Sequence, residues 1–206
     1  MGISVPIEVS ARHIHLSQMD ADILFGEQYE FTPLKALSQT GQYACEEEVE
    51  IQPPETYGLP ECQAFTFGKR CDRNKVRILG PIRKETQLEL AQSDALALGV
   101  KAPLVVSGEL DHTPGGVILI GPVGQVCLTK GVIIPRRHIH CNSSLAKEKG
   151  LQHGEMVSVK VKGERGVIFH NIVIRTDPTF RFQLHLDTDE GNAAGIPMGG
   201  VGEIVV

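Results

Sequence analysis

Arg12-His13-Ile14-His15 is repeated residue for residue as Arg137-His138-Ile139-His140, and an apolar or β-branched stretch that reads as a strand stands ahead of each copy. On an extended chain successive side chains alternate faces, so both histidines of a copy point one way and the isoleucine points the other, into a core. Each His-x-His is then a ready-made pair of imidazoles, the commonest nitrogen ligands of zinc and similar metals, held more firmly by a strand than by a loop. A single doublet is more often incidental, a half-buried strand with two histidines on it. The identical duplicate makes metal binding the stronger reading, with cobalt, iron and nickel suited by the same donors as zinc.

Working outward from the doublets, short apolar runs predict strands at 6–10, 48–52, 76–79, 88–90, 104–107, 117–120, 125–128, 132–134, 156–161, 167–174 and 182–186. Helices are few and short: 17–25 with Ser17 as cap, 93–98, and 144–149 ended by Gly150. This pattern predicts a mainly β fold of two small β-barrels capped by short α-helices. The first unit is expected over residues 1–15 and 76–130 with 16–75 as cap and insertion, the second over 131–206, with the N-terminal strand free to cross between them. Sliding the chain by 51 positions lays Ser93 on Ser144, Ala95 on Ala146, Gly99 on Gly150, Gln87 on His138 and Glu89 on His140. That match makes Glu89 a carboxylate partner for the histidines. The 53–74 segment, with three prolines and two cysteines, reads as a surface loop or hairpin insertion.

Composition narrows the function classes. The chain has 206 residues, 41% of them hydrophobic, and a net charge of −5, which argues against general nucleic-acid binding and requires a local basic cluster for any anionic substrate. No apolar run approaches the ~18 residues of a membrane helix, and no leader precedes the first strand, so a cytoplasmic location is expected. Five cysteines, none in a C-x-x-C pair, predict reduced thiols rather than a disulfide framework or a zinc ribbon. No P-loop or dinucleotide fingerprint is found.

His185 is a further candidate ligand, on a strand that ends at the acidic turn Asp189-Glu190-Gly191-Asn192. His112, His153 and His170 lack partners at ligand spacing and read as surface residues. Arg77 and Arg83 flank the Gly80-Pro81 turn, and a guanidinium fork suits bidentate phosphate recognition. The run Glu46-Glu47-Glu48 reads as a solvated strand end.

Four segments together carry a resemblance: V-S-A-R-H-I-H-L-S from Val9 to Ser17, R-I-L-G-P-I-R-K-x-T-Q-L-E from Arg77 to Glu89, G-V-I-I-P-R-R-H-I-H from Gly131 to His140, and H-L-D-T-D-E-G-N-A-A-G from His185 to Gly195. In this order, over nearly the whole chain, they resemble the PduL-type phosphate propanoyltransferases, phosphotransacylases associated with propanediol-using bacterial microcompartments. The resemblance implies two β-barrel units, two zinc ions per chain, and interconversion of acyl-CoA plus phosphate with acyl phosphate plus coenzyme A. It places one metal on His13, His15 and Glu89, with an open position for the CoA sulfur or a carbonyl oxygen, and the other on His138, His140 and His185. It makes Arg83 the phosphate-holding arginine with Ser107 as helper, Arg83 and Glu89 the catalytic pair, and Ser10, Lys35, Arg77, Leu79, His185 and Asn192 the contacts to CoA.

Cys45 and Cys141 depart from the Ala and Met expected there, and the 53–74 loop is longer than usual. The chain opens almost at the first motif, so no N-terminal microcompartment-targeting helix is expected, and encapsulation would need another route. Propanoyl-CoA and acetyl-CoA both remain open as substrates, as does homo-oligomer formation. The rivals are a metal-dependent hydrolase on the same histidines and a non-catalytic, metal-stabilised microcompartment protein. The arginines favour a phosphate-using transferase over the first, and trios with open metal positions favour catalysis over the second.

Overall fold

The computed structural model describes residues 2–52 and 74–205. In chain order its elements are β1 (Ile3–Ser10), β2 (His13–His15), α1 (Gln18–Phe25), β3 (Pro33–Ala36), β4 (Tyr43–Gln52), β5 (Lys75–Gly80), β6 (Gln87–Glu89), α2 (Gln92–Leu98), β7 (Leu104–Val105), β8 (Val117–Ile120), β9 (Gln125–Leu128), β10 (Val132–Pro135), β11 (His138–Cys141), α3 (Ser143–Lys149), β12 (Met156–Val161), β13 (Val167–Thr176), β14 (Gln183–Asp187), α4 (Thr188–Ala193) and β15 (Gly200–Val205). The expected insertion at 53–74, with Cys62 and Cys71, lies outside the described residues except for Asn74. No described helix is long and apolar enough to cross a membrane.

The fold is mainly β with short helices, as the sequence predicts. One unit closes: β1, β14, β11, β13, β12 and β15 form a barrel. The other stays open as a curled sheet in the order β7-β10-β6-β2-β5-β4-β8-β9, with β3 on β4. Each has its own core. Ile14, Leu24, Ile51, Ile78, Leu88 and Leu119 fill the open unit, and Val5, Ile139, Val159, Ile172, Ile174 and Leu184 fill the barrel. The central isoleucine of each tetrapeptide is fully buried in its respective core, as the alternation argument requires.

The units exchange strands. β1 runs parallel to β14 and antiparallel to β15 inside the closed barrel, and the chain then crosses at Ala11-Arg12 to place β2 between β5 and β6 of the open sheet. β10 does the converse: it pairs with β6 and β7 of the open sheet before the chain crosses at Arg136-Arg137 into β11 of the barrel. β1 is thus the N-terminal strand left free to cross between units, whereas the expected division at 130/131 differs from the strand pairing, since β10 belongs to the open sheet. Periodicity marks a strand but carries no record of which sheet it joins.

Other differences have local causes. The acidic turn after His185 is a helix, α4, because Asp187 caps it: its Oδ1 accepts from Glu190 N at 2.8 Å while Glu190 Oε2 accepts from Asp187 N at 3.0 Å. β15 escapes an apolar pattern because it carries Gly200 and Gly202, and a Cβ at Gly202 would run into the Val159 side chain of β12. β3 is exposed along its length and offers no buried face to read. Glu46, Glu47 and Glu48 lie mid-strand in β4, at a register shift against β5, rather than at its end. By contrast α2 and α3 end as predicted, on Gly99 (φ 67°) and Gly150 (φ 69°) in the left-handed conformation. Truncating a fully buried core residue of the barrel leaves a cavity that β-strands close poorly, so Ile139→Ala should lower unfolding free energy by about 2–5 kcal/mol, read from the denaturant midpoint.

Candidate functional site

Cross-strand register assembles the site. β2 is antiparallel to β6 with His13 opposite Glu89 and His15 opposite Gln87. β11 is antiparallel to β14 with His138 opposite His185 and His140 opposite Gln183. Directly opposed residues of an antiparallel pair share a face at ~5 Å, so each doublet gains a third donor from the strand beside it. The six expected residues accordingly form two trios, His13/His15/Glu89 and His138/His140/His185, in each of which one donor atom per residue lies within 4.8 Å of the others. By pairing, Glu89 corresponds to His185, not to His140 as the 51-residue slide has it; the slide aligned the similar strand-helix corners β6-α2 and β11-α3.

Outer contacts aim the rings. His13 Nδ1 is 2.8 Å from Ala11 O and His138 Nδ1 is 2.9 Å from Arg136 O, the same contact in both copies. His15 Nδ1 is 3.1 Å from Leu79 O. A ring that donates Nδ1–H to a carbonyl presents Nε2 as its lone pair, the arrangement typical of metal-ligating histidine. Gln87 Nε2 and Ser107 Oγ both donate to Glu89 Oε1, the latter at 2.8 Å, while Oε2 faces His13 Nε2 at 3.4 Å. Ser107, expected beside phosphate, thus places its hydroxyl on the Glu89 carboxylate. His185 is held between Glu8 and Gln39, each at 3.4 Å.

Both ring nitrogens of His140 are buried and, among the described residues, have no hydrogen-bond partner. An orphaned buried polar atom is costly, and here two are orphaned on one ring that lies 4.6 Å from His138 and 4.7 Å from His185, centroid to centroid. A cation held by the trio would satisfy one of them, so the donor set fits a divalent metal.

Protonation states agree. Burial lowers His15 to about 3, helped by His13 and Arg83. It lowers His138 to about 3 with His185 adding repulsion, His140 to about 2 with His138 and His185, and His185 to about 4. Burial alone would raise the Glu89 carboxyl, but His13, His15, Ser107 and Arg83 outweigh it and hold that group well below the usual carboxylate range. At neutral pH these four imidazoles are neutral and Glu89 is ionised, the forms that bind metal.

Both trios open onto one cleft of about 650 Å³ between the units. Its wall carries five basic residues, Arg12, Lys35, Arg77, Arg83 and Arg175, in a chain of net charge −5. Ser10, Leu79 and Ser107 also line it. Asn192 does not: it is exposed on α4. The Arg77 guanidinium is already engaged, donating to Cys45 O at 2.7 Å, Glu46 O at 3.1 Å and Glu48 Oε1 at 2.5 Å. Arg83 is fixed at its backbone, where its N donates to Leu16 O at 2.9 Å, one residue past His15. Arg175 was not singled out by sequence. It stands beside His140 in the parallel β11-β13 pair, and the inward Ile172 and Ile174 were the signal that residue 175 faces the other way. Phe180, also missed, covers His140 at 3.9 Å between centroids. Among the described residues the guanidinium groups of Arg83 and Arg175 have no hydrogen-bond or ion-pair partner; burial lowers both, Glu89 supports both, and Arg175 repels Arg83. Two half-buried forks lining one space have the chemistry to receive an anion. His112, His153 and His170 are exposed, as expected, and do not line the cleft.

The family model for phosphate propanoyltransferase matches residues 6–197. A phosphate propanoyltransferase of Thermotoga maritima is 44% identical over 200 residues, covering 97% of this chain and 88% of its own. Those of Listeria monocytogenes and Salmonella typhimurium are 39% identical over 201 residues (98% and 87% covered) and 42% identical over 192 residues (93% and 83% covered).

Four histidines whose folded pKa values lie below their unfolded 6.5 bind fewer protons folded than unfolded, so stability is present above that value and is lost as pH falls through it. Glu89, depressed from 4.5, acts in the same direction at lower pH. Chelator-treated protein should therefore keep a constant Tm above about pH 7 and lose it steadily from about pH 6.5 downward; a Tm unchanged to about pH 4.5 would contradict the buried neutral imidazoles.

Proposed function

The chain belongs to the phosphate propanoyltransferase family, a family of acyltransferases, and from that premise we propose that it interconverts a short-chain acyl-CoA, propanoyl or acetyl, plus phosphate with the acyl phosphate plus coenzyme A. His13, His15 and Glu89 would hold one zinc ion, and His138, His140 and His185 the other. The observation that carries this reading is the facing of both trios onto a single cleft, together with Arg83 and Arg175, whose guanidinium groups have no partner among the described residues. Hydrolysis of a thioester, in which water is the nucleophile, has no use for an anion clamp beside the reacting carbonyl.

Phosphate enters the space between Arg83 and Arg175, where charge-assisted hydrogen bonds hold it and convert a two-body encounter into a positioned one. One of its oxygens attacks the thioester carbonyl carbon. The new C–O bond forms, the C–S bond breaks, and the electron pair leaves on sulfur as the CoA thiolate. Zinc, when bound, supplies a Lewis acid for the negative charge that develops on the carbonyl oxygen and a preferred partner for the thiolate. Lys35 on β3 lines the same cleft and is suited to a phosphate of CoA, while Arg77 in the same wall is tied to β4 through Cys45 O, Glu46 O and Glu48. Gln87 and Ser107 fix the Glu89 carboxylate by one oxygen and leave the other toward His13. Among the described residues no cysteine is placed to supply a nucleophile: Cys45 and Cys141 are fully buried in the two cores, and Cys127 is exposed on β9, outside the cleft wall. This supports direct transfer.

CoA release from propanoyl-CoA should depend on added phosphate, and Arg83→Ala should cut that release by about a hundredfold or more while two zinc ions per chain are retained. Phosphate-independent release by the unaltered protein would support the hydrolase instead, and loss of zinc equal to the loss of turnover would make Arg83 structural.

A further inference from the structure

The first residue of each tetrapeptide is not used by the chemistry above, yet the two arginines do the same thing. Arg12 Nη1 donates to Asp94 Oδ1 at 2.7 Å, and Arg137 Nη1 donates to Glu190 Oε1 at 3.1 Å. Asp94 lies five residues after Glu89, and Glu190 lies five residues after His185. Each acid is the third residue of the helix that follows its donor strand, α2 or α4. Its second oxygen returns to the strand end: Asp94 Oδ2 accepts from Ala91 N at 3.3 Å, and Glu190 Oε2 accepts from Asp187 N at 3.0 Å. Those peptide groups stand two residues beyond Glu89 and His185.

We infer that Arg12 and Arg137 are positioning residues, each clamping the third donor of its own trio to the histidine doublet through the acid that follows that donor. The inference rests on the reading of the trios as metal sites. Its reasoning is geometric. Each arginine is covalently next to the first histidine of its doublet, so the path from arginine to carboxylate to peptide N–H spans the same antiparallel pair that brings His13 to Glu89 and His138 to His185. The salt bridges are partly shielded, with side-chain exposures of 25% and 18% in the first and 28% and 22% in the second, so they hold geometry better than a surface pair does. A substrate-binding role explains only Arg12, which lines the cleft; Arg137 is not in the cleft wall and packs over Phe169 instead. The same clamp occurring at both sites is the shared feature.

The test is zinc affinity by chelator competition, with ring-nitrogen NMR of the histidines reporting which trio fills. Burial drives Glu190 up to about 7 against the pull of Arg137, so measurements belong above that pH. Arg12→Met and Asp94→Asn should each weaken zinc at His13/His15/Glu89 by about 10–100-fold and leave the other trio as it was. Arg137→Met and Glu190→Gln should do the converse, and each arginine-acid double variant should be no weaker than its worse single. Should an arginine variant fail to fold, the near-isosteric Asp94→Asn and Glu190→Gln decide. An unaltered protein that takes up no zinc sinks the metal reading and this inference with it. An unaltered protein that binds two ions, with variants that hold them as tightly or lose both trios alike, sinks this inference alone.

Discussion

A strand turns every second side chain to the same face, so a His-x-His doublet shows two rings to one side, and an antiparallel neighbour supplies one more donor directly opposite. The rest of the molecule depends on this register. A slip of one residue in β6 against β2, or in β14 against β11, would turn Glu89 or His185 into the core and bring Leu88 or Leu184 into the cleft. The fully buried Ile14, Leu88, Ile139 and Leu184, on the opposite faces of the same strands, forbid that slip. The apolar side of each three- to five-residue strand thus fixes the polar side, and strands this short are held in place by the sheets on either flank.

Reciprocal exchange of β1 and β10 does the second task. Each strand that precedes a doublet is built into the other unit, and both doublets emerge onto a common cleft. Two independent barrels joined by a linker would leave each trio with its own surroundings. Here Arg83 of the open unit and Arg175 of the barrel line the same cleft as both trios. Burial lowers the imidazoles of four of these histidines, and that cost to stability is concentrated where the chemistry is expected.

Much of the site was legible in the sequence because it is local. The doublets announce themselves by alternation, and the 51-residue slide singles out Glu89, though it sets that residue beside the wrong counterpart. His185 reads as a ligand because its strand ends in an acidic turn, and that turn proves to be the capping box of α4. Legibility fails where a residue matters through its neighbours in space. Arg175 becomes visible only when β13 is laid parallel to β11, and the value of Arg12 and Arg137 only when their acids, 82 and 53 residues away, are brought in. Ser107 lines the cleft, and its contact with Glu89 is visible only in the folded chain. In the fold, β-rich composition, glycine-ended helices and the freedom of the N-terminal strand to cross were readable, while the matching crossing of β10 was not, since that strand has the same apolar pattern whichever sheet it joins.

The central claim is that six side chains from four short strands grip two cations across one cleft. Anomalous diffraction at the zinc edge from crystals of the zinc-loaded protein tests it most directly. Two peaks, one on His13, His15 and Glu89 and one on His138, His140 and His185, are the predicted result; a single shared peak, or zinc bound elsewhere with both trios bare, would contradict it.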